Sequence, residues 1–100
     1  MQTDIDMAVR DILQQYPVKR AAFFGSTARG DRTEKSDIDM LVEFMPGRGG
    51  VNLEFFGLQV DLEDVLSCHV DLITYDALYN VARPQFRENV LRDMRVIYER

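Results

Sequence analysis

Three aspartates stand inside two segments that otherwise have the composition of buried β-strands. Asp37 and Asp39 alternate with apolar residues in 36–42, and Asp71 lies among valine, leucine and isoleucine in 70–73. Aspartate is depleted in strands, so these positions call for a reason other than strand formation. Alternation places Asp37 and Asp39 on one face, roughly 6.6 Å apart at Cα from a rise of 3.3 Å per residue. If the two strands are neighbours in a sheet, three carboxylates converge.

The rest of the sequence predicts a small α/β domain, a mixed β-sheet flanked by helices, formed as a single domain over residues 1–100. Apolar spacing distinguishes helices from strands, and Pro and Gly mark the loop over 45–50. The predicted elements are a helix over 4–16, a strand over 18–24, a turn or short helix over 26–30, a strand over 36–44, a helix over 52–67, a strand over 69–74, a helical turn over 76–81, a helix over 84–93 and a strand over 94–98.

Charge and hydropathy narrow the expected partners and compartment. The net charge is −5, whereas a protein that grips a phosphate backbone usually carries a basic surplus, so nucleic acid is not expected as the main partner. No apolar run approaches the ~20 residues that span a bilayer, and the acidic N-terminus lacks a signal-peptide pattern. The single cysteine cannot form an internal disulfide. We therefore expect a cytoplasmic protein that does not enter a membrane.

Carboxylates clustered in this way need a compensating cation. Two unit charges 4 Å apart repel by ~4 kcal/mol at an effective dielectric constant of 20. Mg²⁺ shared with substrate phosphates suits such an all-oxygen set best. Gly25 and Ser26 follow a predicted strand, where glycine lets a phosphate approach the backbone and the serine adds a hydroxyl beside free N–H groups. These parts suit in-line nucleotidyl transfer with two metal ions about 3.5–4 Å apart.

Two other motifs do not fit the sequence. An EF-hand loop that began at Asp37 would place apolar residues where oxygen ligands belong. A P-loop is excluded because no Gly-Lys-Ser/Thr follows Gly25. Arg29 and Arg48 are candidates for contact with a phosphate, with solvated surface charge as the alternative for each.

The string Phe24-Gly25-Ser26, followed after ten residues by Asp37-Ile38-Asp39, resembles the Gly-Ser-x10-Asp-x-Asp signature of the polymerase-β-like nucleotidyltransferases. The longer string GSTARGDRTEKSDIDMLVEF is similar to the minimal nucleotidyltransferase branch, the antitoxin-like partners of HEPN-domain proteins. The resemblance covers nearly the whole chain. It implies that Ser26 contacts the terminal phosphates and that Asp37 and Asp39 bind both metals. It also implies that Asp71 binds the catalytic metal and helps to activate the acceptor, although the number of residues between the Asp-x-Asp motif and this third carboxylate varies in the family.

The same resemblance implies an enzyme that uses two Mg²⁺ ions, takes ATP as substrate and transfers AMP to a protein hydroxyl. The implied acceptor is a tyrosine of a cognate HEPN ribonuclease toxin, so that the two proteins form a toxin–antitoxin pair and a hetero-oligomer. Two alternatives stay open. One is nucleotidyl transfer to a small hydroxylated molecule, for which we expect a further substrate domain. The other is a non-catalytic antitoxin that neutralises its partner by contact alone, which a broken triad would favour.

The predicted helix over 52–67 carries two apolar stripes, whereas a surface helix needs only one. The broader stripe is expected to cover the sheet. The narrower one either packs on the N-terminal helix or meets another protein. The broad stripe contains Phe55, Leu58, Leu62, Val65 and Leu66, and the narrow stripe contains Leu53, Phe56 and Val60.

Polar residues near the third predicted strand are expected to have no part in the chemistry. Asp61, Glu63 and Asp64 are interpreted as a solvated helix face. Cys68 and His69 are interpreted as structural, because the sequence has no second cysteine or histidine to complete a metal site with them.

Overall fold

The computed structural model describes residues 4–31, 33, 37–47 and 53–100. Within these ranges helices and strands alternate along most of the chain, and none of the helices is long and apolar enough to cross a membrane. The elements are α1 (Asp4–Leu13), β1 (Val18–Phe23), α2 (Gly25–Arg29), β2 (Ile38–Phe44), α3 (Leu53–Leu66), β3 (Val70–Thr74), α4 (Tyr75–Asn80), α5 (Pro84–Asp93) and β4 (Arg95–Glu99).

The predicted fold class and element order are confirmed, with differences at the boundaries. Helix α1 ends three residues early, because Gln15 and Tyr16 donate their N–H groups to carbonyls only three residues back. These tighter turns replace the last predicted helical turn. The segment 26–30 was predicted as a turn or a short helix, and the structure has a short helix, α2, that begins at Gly25 and ends at Arg29 with Gly30 as its C-cap. Part of the predicted loop over 45–50 lies outside the described residues.

The sheet has the strand order β3-β2-β1-β4. Strand β1 pairs antiparallel with both β2 and β4, whereas β2 and β3 are parallel and are connected through α3. In this parallel pair Ile38 lies opposite Val70, and Asp39 lies opposite Asp71. The register therefore sets two of the three aspartates side by side.

Each face of the sheet is covered by its own group of apolar residues. Residues of α1 and α3 pack on one face, where Ile38, Met40 and Val42 of β2 are fully buried. Residues of α4 and α5 pack on the other face, together with Leu41 and Phe24. Since side chains alternate along a strand, Asp39 shares the α4–α5 face with Leu41.

Helix α3 matches its predicted orientation only in part. Leu58 and Leu62 of this helix are fully buried, as predicted. Val65 is 56% exposed, so its assignment to the buried stripe is wrong. Val65 lies in the last turn, and periodicity gives a side chain's direction without showing whether a neighbouring element reaches far enough to cover it. The narrow stripe of Leu53, Phe56 and Val60 is exposed by 88%, 52% and 54%. Its packing on the N-terminal helix is therefore also wrong.

Candidate active site

The end of β1 brings the start of α2 against the carboxylate of Asp39. Phe24, extended at φ −140° and ψ −178°, precedes α2 and donates its N–H to the Asp39 carbonyl at 3.0 Å. Gly25 follows with φ +61°, and a Cβ added there would lie 2.7 Å from Asp39 Oδ2. Both the backbone conformation and this close approach require glycine. Ser26, the predicted phosphate contact, is thereby half-buried in the first turn of α2.

Asp39 lies close to the two other aspartates at the start of β2 and β3. Burial raises the pKa of Asp39, and the charges of Asp71 and Asp37 and a hydrogen bond with Asp71 raise it further. The Asp39 N–H donates to Thr27 Oγ1 at 3.3 Å, which ties the same residue to α2. Asp37 and Asp71 are exposed, so the cluster is reached from solvent on one side and backed by Asp39 on the other.

His69 also belongs to this cluster, although the sequence interpretation assigned it a purely structural role. One ligand atom each of Asp37, His69 and Asp71 lies within 4.8 Å of the others. His69 Nε2 is 3.0 Å from Asp71 Oδ1, and its Nδ1 is 2.9 Å from Glu63 Oε2. Glu63 Oε2 also accepts the Val70 N–H at 2.9 Å, so Glu63 is not simply a solvated helix residue. No motif spacing could have shown this, because the turn between α3 and β3 creates the contact.

Arg29 is fixed by two carboxylates. Its Nε donates to Asp31 Oδ2 at 2.9 Å, and its Nη1 donates to Asp93 Oδ2 at 2.9 Å. The second bond ties α2 to the end of α5 and lowers the pKa of Asp93. The charge of Arg29 also opposes the rise in the pKa of Asp39. Arg29 thus contributes positive potential beside the cluster, while Arg48 lies outside the described residues.

The donor set fits Mg²⁺ that is completed by substrate oxygens. Asp39 and Asp71 offer carboxylate oxygens from two adjacent strands and Asp37 offers them from the residue before β2, while burial and then the charges of Asp71 and Asp37 raise the pKa of Asp39. Mg²⁺ typically takes one or two carboxylates and fills its octahedron with phosphate oxygens and water. The arrangement can therefore hold a metal–nucleotide complex beside the first turn of α2.

A cavity of about 700 Å³ lies away from the aspartates. Its lining comes from the last residues of β2 and β3 and from the start of α3 and α4, and it includes Phe44, Phe55, Phe56, Thr74 and Tyr75. Asp39 and Asp71 lie near the opposite ends of the same strands. The candidate active site is therefore open to solvent and separate from this cavity.

A four-stranded mixed sheet that carries paired strand aspartates beside a Gly-Ser helix start defines an enzyme that transfers nucleotides. The chain belongs to the nucleotidyltransferase domain family, which matches residues 5–97. It is 39% identical over 90 residues to a Methanocaldococcus jannaschii protein provisionally named a protein adenylyltransferase, and the match covers 90% of each chain. It is also 33% identical over 84 residues to the protein adenylyltransferase MntA of Thermococcus cleftensis, with 81% of each chain covered.

Solved structures agree with this assignment. A structure provisionally described as a minimal nucleotidyltransferase is 36% identical, with a TM-score of 0.69 over 90% of this chain and 86% of that one. Two more distant matches show the fold alone. One is a toxin–antitoxin complex with AMP-PNP (TM-score 0.72, 21% identity, 95% and 73% coverage). The other is a Shewanella oneidensis complex of a tri-AMPylated HEPN toxin with an MNT antitoxin (TM-score 0.61, 17% identity, 96% and 73% coverage).

Proposed function

We propose that this chain is a Mg²⁺-dependent protein adenylyltransferase that moves AMP from ATP to a tyrosine hydroxyl of a HEPN toxin, and so acts in the cytoplasm as the antitoxin of the pair. The observation that carries the proposal is the parallel register that sets Asp39 beside Asp71, with Asp37 immediately before the same strand. The names of the similar adenylyltransferases and the toxin–antitoxin complexes of the same fold support this choice of donor and acceptor.

Each residue of the site has a distinct part in the proposed reaction. Asp37, Asp39 and Asp71 would hold two Mg²⁺ ions, which supply charge neutralisation for the transferring phosphate and the leaving pyrophosphate. Ser26 and the N–H groups of α2 orient the terminal phosphates. Asp71 is half-exposed, so an incoming hydroxyl can reach it and give up its proton there as the oxygen attacks the α-phosphorus.

The narrow stripe on α3 supports a protein acceptor. Leu53, Phe56 and Val60 form an exposed apolar row with the exposed Asp64 at its rim, and Phe56 also lines the separate cavity. Such a row favours contact with another protein. Docking there would hold a weakly nucleophilic hydroxyl in place for attack. The net charge of −5 argues against a nucleic-acid primer as acceptor.

The decisive test uses the product of the neighbouring gene as the candidate HEPN acceptor. We expect intact mass spectrometry to show one or more AMP additions to that protein when it is incubated with the chain, ATP and Mg²⁺. Phe56→Glu should abolish modification while ATP still binds. Val65→Glu is the control, because it introduces the same glutamate at a similarly exposed apolar position of the same helix outside the narrow stripe, and this variant should modify the toxin normally.

Other outcomes would support the alternatives. A toxin that binds and loses activity without gaining mass would favour the contact-only antitoxin. AMP found on RNA or on a small hydroxylated compound would agree with the nucleotidyltransferase assignment but would contradict a protein hydroxyl as the acceptor.

Thermal unfolding tests the metal–nucleotide part of the proposal. Three carboxylates give too few ligands for an octahedron, so Mg²⁺ should raise the melting temperature clearly only with ATP present. A ligand at 100 times its dissociation constant stabilises the native state by ~2.7 kcal/mol. An equal shift from Mg²⁺ alone would indicate a metal-only site and contradict the mechanism.

Ser26→Ala tests the phosphate contact. Loss of a hydrogen bond to a charged group costs about 1.5–3 kcal/mol, so transfer should fall on the order of ten- to a hundredfold, measured as kcat/KM for ATP. Backbone donors remain in the variant, and the effect should be smaller than loss of an aspartate. A fall as large as that in Asp39→Ala would show that the hydroxyl does more than orient phosphate.

A further inference from the structure

The turn between α3 and β3 clamps one imidazole ring between two carboxylates. His69 contacts Glu63 through Nδ1 at 2.9 Å and Asp71 through Nε2 at 3.0 Å. The ring is half-exposed, so burial does not immobilise it. An ionised carboxylate only accepts hydrogen bonds, so the neutral ring donates its N–H to one of the two carboxylates, and the protonated ring donates to both. The two contacts therefore fix both the position and the rotation of the ring.

Glu63 also fixes the backbone on which Asp71 stands. The oxygen that meets His69 accepts the N–H of Val70, the first residue of β3. Ser67, at φ +55°, donates its N–H to the Glu63 carbonyl and turns the chain from the helix towards the strand. A single glutamate thus holds the start of β3 and the ring beside Asp71 together.

From this arrangement we infer that His69 is a positioning residue for Asp71, oriented by Glu63, in the proposed nucleotidyl transfer. The ring holds Asp71 Oδ1 and leaves Oδ2 free of the imidazole. It also places an N–H donor beside a carboxylate that lies opposite Asp39 in the register. Partners of this kind, which orient a metal-binding carboxylate, typically contribute 10–100-fold to metal affinity or activity.

Direct coordination of a metal by His69 is the competing arrangement. Its ring nitrogen lies within 4.8 Å of oxygens of Asp37 and Asp71, which is close enough for a shared ion. Both ring nitrogens, however, already lie within hydrogen-bond distance of carboxylates. A bound metal would have to displace one of these contacts, so we assign His69 to orientation of Asp71.

The test compares His69→Ala, His69→Gln and Glu63→Gln with Glu88→Gln, an exposed carboxylate of α5 that serves as the control. For His69→Ala we expect a fall in kcat on the order of 10–100-fold and a similar weakening of Mn²⁺ affinity measured with AMP-PNP present. At saturating Mg²⁺, KM for ATP should stay within about twofold, because the phosphate contacts of α2 are untouched. His69→Gln should recover part of both losses, since its amide can still donate to Asp71.

Several outcomes would overturn the inference. Unchanged kcat and Mn²⁺ affinity in His69→Ala would show that the ring does not orient Asp71. A ¹⁴N coupling to Mn²⁺ in pulsed electron paramagnetic resonance of the wild type, absent in His69→Ala, would show direct coordination. Equal losses in His69→Gln and His69→Ala would show that N–H donation is not what matters. If the wild type transfers no AMP, the proposed function fails, while the Mn²⁺ measurements still test the part played by His69.

Discussion

Two acidic regions on opposite faces of the sheet differ in how their charge is balanced. On the α1–α3 face, Asp6 is only 2% exposed, and Arg95 Nη1 donates to its Oδ2 at 2.9 Å. The same guanidinium lies over the ring of Phe23, 5.4 Å from its centroid. On the α4–α5 face, burial raises the pKa of Asp39, and the neighbouring carboxylates of Asp71 and Asp37 raise it further. The more deeply buried carboxylate is thus the better compensated one.

The comparison separates a carboxylate that supports the fold from one that the fold holds ready for a ligand. A buried charge is retained only with a good partner, because an uncompensated one is strongly destabilising. Asp6 has that partner within the chain. Among the described residues around Asp39, the sheet register brings like charges together, and a bound metal ion would offset their repulsion. Removal of each residue should therefore change stability and activity in opposite ways.

The largest expected effect is loss of transfer in Asp37→Ala or Asp39→Ala. Each change removes a metal ligand, and since loss of a mere supporting residue costs 10–100-fold, activity should fall by more than about a hundredfold. Without Mg²⁺, the melting temperature should stay the same or rise, because one repelling charge is gone. AMP transfer and thermal unfolding are the measurements, and retained activity in either variant would contradict the site.

Asp6→Ala should have the reverse profile. Breaking a buried ion pair costs 3–5 kcal/mol, and we expect about 3 kcal/mol because Arg95 keeps access to water. The measurement is urea unfolding, together with AMP transfer at a temperature where the variant is folded. Asp11→Ala, an exposed carboxylate in the same helix, should change stability by less than about 0.5 kcal/mol. A stable but inactive Asp6→Ala protein would remove the distinction between the two regions.

A smaller effect distinguishes two glycines that both have positive φ. Gly25→Ala and Gly30→Ala should each cost roughly 1–2 kcal/mol of stability from the left-handed backbone. The added Cβ at Gly25 meets Asp39 Oδ2, whereas no atom of the described residues lies within 4 Å of the corresponding position at Gly30. Gly25→Ala should therefore also reduce kcat, whereas Gly30→Ala should not. Equal kinetics would mean that the close approach to Asp39 has no catalytic consequence.

The smallest expected effect is a pH dependence of stability in the metal-free protein. The folded-state pKa of Asp39 is raised, so its contribution is favourable below the unfolded-state pKa of ~3.9 and is lost as the pH rises through the folded-state value. Asp39→Asn should lack this loss. Thermal unfolding at stepped pH should show the wild type losing stability relative to Asp39→Asn as the pH rises above about 4, and a constant difference would contradict the raised pKa.

Local patterns predicted much of this molecule. Apolar alternation and proline placement located the strands and the helix over 84–93, which has the predicted bounds. The spacing of Gly25-Ser26 and Asp37-Ile38-Asp39 identified candidate residues that the fold brings together. These features depend on neighbours in sequence, or on one parallel pairing that the apolar composition of both strands favours.

The remaining features depend on contacts that no local pattern encodes. The pairing of Asp6 with Arg95 joins residues 89 positions apart. His69 meets Glu63 only because of the turn after α3, so its adjacency to Cys68 in the sequence was uninformative. The exposure of Val65 depends on how far the neighbouring elements extend. In each case tertiary geometry, rather than residue type or spacing, determines the environment.

Because β2 pairs directly with β3, the distance between Asp39 and Asp71 does not depend on how many residues connect the two strands. Asp39 lies opposite Asp71 in the same parallel pairing that sets Ile38 opposite Val70. The intervening segment, which contains α3, only has to return the chain to the same end of the sheet. Insertions or deletions ahead of α3 would therefore remodel the surface near that helix without displacing the candidate active site. Related chains that recognise different partners would best be aligned by strand register rather than by the number of residues between Asp39 and Asp71.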